Sequence, residues 1–289
     1  MGVGAGRGPV PTPHPFDAML DLPLSAVPLA FLDFETTGLY PRRGDRVCEV
    51  AIQRVVGDTV ALSYATLVNP QRPLSAQSFA INGIAADQLA GAPTFDAIAG
   101  DVRAALAGAA IVAHNAPFDL EFLHAELALA GAPPLNAPVI DTLALARRLL
   151  LGRQSHSLAA LAASLGAAAP AHRALADVLA LRVVFADLAA RLAARGVTAL
   201  GDVLRYARGF DPGQPDPVAP PPIADALRDG RLLRIVYSSR TSPDPTERVV
   251  RPIELISQRG VVFLRAYCYL REDLRVFLVE KITDIEIRD

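Results

Sequence analysis

Phe31-Leu32-Asp33-Phe34-Glu35-Thr36-Thr37-Gly38 alternates apolar and acidic residues with the period of an extended chain. Residues two apart in a strand share a face, so Asp33 and Glu35 project together while Leu32 and Phe34 turn to a core. Two neighbouring carboxylates repel each other and desolvate badly unless a cation neutralises them. Hard oxygen donors set this way suit Mg²⁺ or Mn²⁺. The ordinary alternative is a strand whose solvent face happens to be acidic. The octapeptide alone does not choose between the two.

Two more stretches bear on that choice. Ile111-Val112-Ala113-His114-Asn115-Ala116-Pro117-Phe118-Asp119 reads as a short buried strand running into a helix, with Asp119 in the helix's first turn. An acid there also suits the helix dipole without any further role. Ala171-His172-Arg173-Ala174-Leu175-Ala176-Asp177 opens a long helix, where a histidine is commonly a cap or a surface residue. Each stretch has a plain structural explanation. Their occurrence together, in this order and spacing, does not.

The rest of the chain fits an α/β domain followed by a smaller β domain. Residues 1–25, rich in Gly and Pro, read as a disordered tail. Strands are predicted at Leu29–Phe34, Val47–Val56, Val60–Val68, Ala109–Ala113 and Val139–Ile140. Gly57-Asp58 makes a two-residue hairpin between the second and third. Helical spacing covers Thr94–Leu106, Pro117–Ala130, Thr142–Leu151, Ser157–Leu165 and Arg173–Ala194. An antiparallel hairpin combined with strand-helix alternation predicts a mixed sheet flanked by helices. This domain spans 26–197, a proline-rich linker 198–222, and the second domain 223–289. There the pattern turns to period two, with five short strands at Leu232–Ser238, Arg248–Ile256, Val261–Tyr269, Leu274–Glu280 and Ile282–Ile287, as in a small β-barrel.

Composition narrows the function classes. The 289 residues carry a formal charge of −2, with a pI near 6.2, so the whole chain is not the basic type usual in nucleic-acid binders. A site full of carboxylates pulls the balance that way. Cys48 and Cys268, one in each half, read as free buried thiols of a reducing compartment. No signal peptide and no run of 18 apolar residues is evident, so the expected location is the cytoplasm, away from membranes.

Asp33 with Glu35, Asp119, and His172 five residues before Asp177 together resemble the three motifs of the DEDDh family of 3′→5′ exonucleases, which have an RNase H-like fold. Thr36-Thr37-Gly38, Ile81-Asn82-Gly83-Ile84 and Asp141-Thr142 agree with that resemblance, which spans roughly residues 28–195. It implies a mixed five-stranded sheet and hydrolysis of phosphodiesters at a nucleic-acid 3′ end with two divalent ions, Mg²⁺ or Mn²⁺. It further implies that Asp33, Glu35 and Asp177 hold the water-activating ion, with Asp33 bridging to a second ion served by Asp119. His172 is then the base, a role that suits an imidazole near neutral pH. Thr36, Thr37, Gly38 and Leu39 are expected to meet the terminal nucleotide, and His114, Asn115 and Phe118 to line its pocket. Phe118 reads equally well as core.

The C-terminal segment resembles a WYL domain, a small barrel of the Sm-like or SH3-like kind. Val262-Phe263-Leu264 stands in place of Trp-Tyr-Leu, and Leu278-Val279-Glu280-Lys281 in place of Arg-Leu-Asp-Arg. The resemblance implies a nucleic-acid or nucleotide ligand held by Tyr237, Arg251, Tyr267, Arg271 and Arg275, by phosphate pairing and base stacking. Residues 223–289 hold 12 basic and 11 acidic side chains, which makes no electrostatic funnel, so a protein-interaction role is the alternative. The expected whole is an exonuclease acting on single-stranded DNA 3′ ends in repair or turnover. Its competitors are a short-RNA exonuclease and a ligand-sensing regulator built on an inactive scaffold.

Overall fold

A computed structural model describes residues 16–168, 172–215, 217–238 and 244–288. Two compact units divide between Leu204 and Arg205. The first begins with α1 (Asp17–Leu20), β1 (Leu29–Thr36), β2 (Val47–Val56) and β3 (Thr59–Leu67). After α2 (Ala76–Asn82), α3 (Ala86–Ala90) and α4 (Phe95–Leu106) come β4 (Ala110–Ala113), α5 (Ala116–Leu129) and β5 (Val139–Asp141). Helices α6 (Thr142–Leu149), α7 (Leu158–Ser164), α8 (Ala174–Ala193) and α9 (Leu200–Ala207) follow. The strand order is β3-β2-β1-β4-β5. Strand β2 pairs antiparallel with both β1 and β3, whereas β4 runs parallel to β1 and β5 parallel to β4, so the sheet is mixed as expected.

The alternation read in the octapeptide sets the layers. Leu32 and Phe34 enter a core with Ile52, Phe95, Val102, Ile111, Phe122 and Leu123. Phe31, on the other face, meets Phe185 of α8 edge-on at 5.5 Å. Asp33 and Glu35 share that second face, so α8 covers the side of the sheet that carries the acids. Gly57 has φ 57° in the two-residue turn between the paired Val56 and Thr59, a left-handed conformation glycine adopts without strain.

Some expectations differ from the fold. Residues 1–15 of the expected tail lie outside the described residues, but the tail's last residues are ordered. Leu24 N–H donates to Thr198 O, and Leu200 N–H to Leu22 O, both at 2.9 Å. Within the expected linker, α9 is helical because Leu200, Val203 and Tyr206, three apart, give it a buried stripe.

The second unit contains α10 (Pro221–Asp229), β6 (Leu232–Tyr237), β7 (Thr246–Gln258), β8 (Val261–Cys268), β9 (Asp273–Leu278) and β10 (Ile282–Arg288). Their order, β10-β6-β7-β8-β9, makes an open antiparallel sheet rather than the closed barrel expected. Closure is not needed to bury its apolar face. Ile223 and Ala226 of α10 pack there against Leu233, Ile235, Val250, Leu264 and Phe277.

Candidate active site

The site lies where β1 and β4 end, the usual place for chemistry in a sheet with parallel strands. Strand β1 supplies Asp33 and Glu35. Asp119 comes from the first turn of α5, directly after β4, and its Oδ1 accepts a hydrogen bond from Phe34 N–H at 3.2 Å. This contact ties α5 to the strand between the two other acids. Asp177 comes from the first turn of α8 and His172 from just before it. One oxygen each of Glu35 and Asp177 and one ring nitrogen of His172 lie within 4.8 Å of one another, near enough to share an ion. Asp33 lies near enough to the trio and to Asp119 to feel the charges of Glu35, Asp177 and Asp119.

The charges of the four acids act on one another. Asp33 is raised well above its ordinary value, first by burial and then by the charges of Asp119, Asp177, Glu35 and Glu49. Glu35, only 9 % exposed, is pushed up to about 7 by burial, Asp177 and Glu49, against the opposing pull of Arg173. Asp119 is raised to about 8, chiefly by burial, although the Phe34 N–H favours its charged form. Burying several acids without neutralising them is unfavourable, and divalent cations relieve that repulsion. The donor set therefore fits hard cations. Asp33, Glu35, Asp119 and Asp177 would hold them.

The loop after Glu35 is shaped by a residue the sequence reading did not single out. Asp45 accepts from Tyr40 N–H at 3.0 Å and Thr37 Oγ1 at 3.4 Å, and pairs with Arg72 at 3.2 Å. Thr37 Oγ1 in turn accepts from Arg46 N–H at 3.0 Å, and Thr36 Oγ1 donates to Gly38 O at 2.6 Å. Leu39 is left 59 % exposed. A Cβ at Gly38 would sit 2.3 Å from the Asp45 carboxylate. Gly38→Ala is thus expected to displace Asp45 and loosen residues 37–40. If the loop receives the terminal nucleotide, as the resemblance implies, KM for an oligonucleotide should rise roughly tenfold while kcat changes less. Steady-state kinetics on a labelled oligonucleotide check this.

The pocket residues expected after β4 divide. His114 Nε2 donates to His156 O at 3.0 Å, and Nδ1 lies within hydrogen-bond distance of Thr142 Oγ1 at 2.9 Å. Both ring nitrogens are engaged inside the protein, and burial pushes the imidazole below its ordinary value. His114 thus ties the end of β4 to residues 142 and 156. Phe118 packs on Phe122 at 5.0 Å and against the core, as its apolar alternative implied. Asn115 caps α5 with φ 68°, and its N–H donates to Asp141 Oδ1 at 3.0 Å. Asp141 also caps α6 through Leu143 N–H, so the Asp141-Thr142 pair marks a junction.

In the second unit the five expected ligand residues do not share a face. Tyr237 packs with the apolar face and meets Phe277 edge-on at 5.1 Å. Arg275, in register with the buried Ala266, lies on that same side. Arg251 and Tyr267, paired across β7 and β8, alternate to the opposite side, and Arg271 sits in the turn beyond β8. Arg248, not singled out in the sequence, joins the Tyr237 group with its guanidinium 6.0 Å from the Phe277 ring.

Comparison with known proteins bears on both units. A family model described as Exonuclease matches residues 30–185, and one for the WYL domain matches 221–287. A DNA polymerase III subunit epsilon-like protein of Rhodobacter capsulatus is 40 % identical over 196 residues, covering 66 % of this chain and 28 % of its own length. DNA polymerase III subunit epsilon of Treponema pallidum is 36 % identical over 161 residues, covering 55 % of this chain and 74 % of the relative. This chain thus spans little more than a quarter of the Rhodobacter relative. Among solved structures, exonuclease X in complex with 5′ overhanging duplex DNA shares 29 % identity at a TM-score of 0.47, covering 61 % of this chain and 99 % of that one.

Proposed function

This chain belongs to the exonuclease family, and from that premise we propose that it removes nucleotides from the 3′ ends of nucleic acids, preferring single-stranded DNA. The observation that carries this reading is the approach of Glu35, His172 and Asp177 to within 4.8 Å, beside the partly buried Asp33 and the buried Asp119. When bound, two divalent cations supply activation of water and stabilisation of charge on the leaving 3′ oxygen. Asp33, Glu35, Asp119 and Asp177 hold them. His172, exposed at the mouth of the site, takes the proton of the attacking water on a ring nitrogen. Residues 36–39 receive the terminal nucleotide. Glycine at 38 allows the close backbone approach, and the exposed Leu39 lies against the base.

The WYL domain is read as a nucleic-acid-binding or regulatory module in the cytoplasm, where repair or turnover is the expected setting. Tyr237, Arg248 and Arg275 on one face of its sheet are better disposed for stacking and phosphate pairing than Arg251 and Tyr267 on the other. Among the described residues, no helix is long and apolar enough to cross a membrane.

The assay that tests the reading uses 5′-labelled single-stranded DNA, duplex DNA and RNA with Mg²⁺ or Mn²⁺, with and without chelator. A ladder descending from the 3′ end, fastest on single-stranded DNA and lost with chelator, is the expected result. A faster ladder on short RNA would move the substrate to RNA. Intact substrates throughout would favour a ligand-sensing scaffold.

A further inference from the structure

Another buried carboxylate lies beside the site. Glu49 of β2 is in register with Glu35 of β1, so the two side chains stand on the same face as direct cross-strand neighbours. It is 6 % exposed. Like charges opposite each other weaken a sheet, and a buried carboxylate is unfavourable unless charge and hydrogen bonds compensate it. Among the described residues, its hydrogen bonds go to two adjacent residues. Arg173 Nε donates to Oε1 at 3.2 Å and Oε2 at 3.1 Å, and Nη2 to Oε1 at 2.9 Å. Ala174 N–H donates to Oε2 at 3.0 Å. These residues directly follow His172 and open the helix that carries Asp177.

The local backbone says what this attachment does. Arg173 is the N-cap residue of α8 and makes no side-chain cap hydrogen bond of its own, so Glu49 accepts a first-turn N–H from a neighbouring strand instead. The negative charge also sits where the helix dipole favours it. His172 has φ 51°, a left-handed conformation uncommon for a side-chain-bearing residue. Such a conformation persists only where the surroundings fix it, and the Glu49 contacts fix the residues immediately after it. A second carboxylate serves α5 in the same manner: Glu126 accepts from Arg46 at 2.9 and 2.8 Å and from Val47 N–H at 2.9 Å. Strand β2 thereby anchors both helices that bring acids to Asp33 and Glu35.

We propose that Glu49 is a positioning residue for the reaction. By holding the Arg173 guanidinium and the Ala174 N–H, it sets where His172 and Asp177 stand relative to Glu35. This rests on the exonuclease reading above, and it concerns alignment rather than contact with substrate.

The test compares Glu49→Ala, Glu49→Gln and Arg173→Lys in the full chain, by steady-state kinetics on single-stranded DNA, by thermal unfolding and by NMR of the His172 ring. Glutamine keeps the reach of the side chain and an oxygen for Ala174 N–H. Lysine keeps the positive charge but not the two-pronged geometry. For Glu49→Ala, kcat should fall roughly 10- to 100-fold with KM changed less than about threefold, since small misplacements act on the chemical step. Glu49→Gln should recover much of that loss, and Arg173→Lys should fall between them. The His172 ring resonances, assigned by their disappearance in His172→Gln, should shift in all three variants. If Glu49→Ala does not fold, the other two are read in the same way. A kcat within twofold of the unmodified chain together with an unmoved His172 resonance would overturn the proposal, even if unfolding temperature drops. If the unmodified chain degrades nothing, the exonuclease reading fails, and the resonance alone decides whether Glu49 places His172.

Discussion

Replacing Asp33 by asparagine is expected to abolish nucleotide removal and, at the same time, to make the metal-free protein more stable. The loss of activity should be on the order of 10³-fold or more, since one ligand to the ions is worth several kcal/mol of transition-state stabilisation. The gain in stability follows from the surroundings. Burial and the charges of Asp119, Asp177, Glu35 and Glu49 all disfavour an ionised Asp33, and a neutral amide of the same shape removes that repulsion. Unfolding temperature at pH 8 without metal should rise by roughly 2–4 °C for each kcal/mol relieved. Few substitutions stabilise a protein while removing its activity. Those that do mark a place where folding and function conflict. Parallel measurements of unfolding and oligonucleotide degradation check both halves.

The second large effect is a dependence of stability on pH that divalent metal offsets in part. Glu35 rises from 4.5 in the unfolded chain to about 7 in the folded protein, and Asp119 from 3.8 to about 8. Between these limits the folded state binds more protons than the unfolded one, so stability falls as pH rises. The favourable contribution is complete below about pH 4 and is lost by about pH 8. The metal-free protein should therefore unfold at lower temperature at pH 8 than at pH 5, insofar as these two groups set the slope. Divalent cations bind the ionised carboxylates. At a hundredfold excess over Kd they would add about 2.7 kcal/mol, or roughly 5–10 °C, at pH 8. At pH 5, where protons already occupy the site, they should add little. Thermal unfolding at the two pH values, with and without Mn²⁺, measures this.

Much of the site was legible because the chemistry fixes residue types and the strand period fixes their direction. Asp33 and Glu35 share a face for no reason beyond extended geometry, and Asp119 and Asp177 are each set by the first turn of a helix. The residues that hold these in place were harder to read. Glu49 sits in Val47-Cys48-Glu49-Val50-Ala51-Ile52, where a lone acid looks like the polar position of a half-exposed strand. Its partners are 124 and 125 residues away. Asp45 and Glu126 are concealed in the same way, since a tertiary hydrogen bond leaves no periodic mark. His114 misled for the opposite reason. It stands beside a catalytic motif, yet Thr142 and His156 take both its nitrogens. The short α2 escaped because seven residues give too little periodicity, although Ser75 caps it through Ser78 N–H. In the WYL domain, motif matching selected Tyr237, Arg251, Tyr267, Arg271 and Arg275 without regard to which face each takes. Alternation along β7, β8 and β9 separates them.

The central claim is that Asp33, Glu35, Asp119 and Asp177 together hold two ions beside His172. Crystals soaked in Mn²⁺ and measured at the manganese absorption edge test it directly. The expected result is two anomalous peaks about 4 Å apart, both bordered by Asp33, one reached by Glu35 and Asp177 and the other on the Asp119 side. Manganese found only on surface acids, with nothing between β1 and the start of α8, would contradict the account.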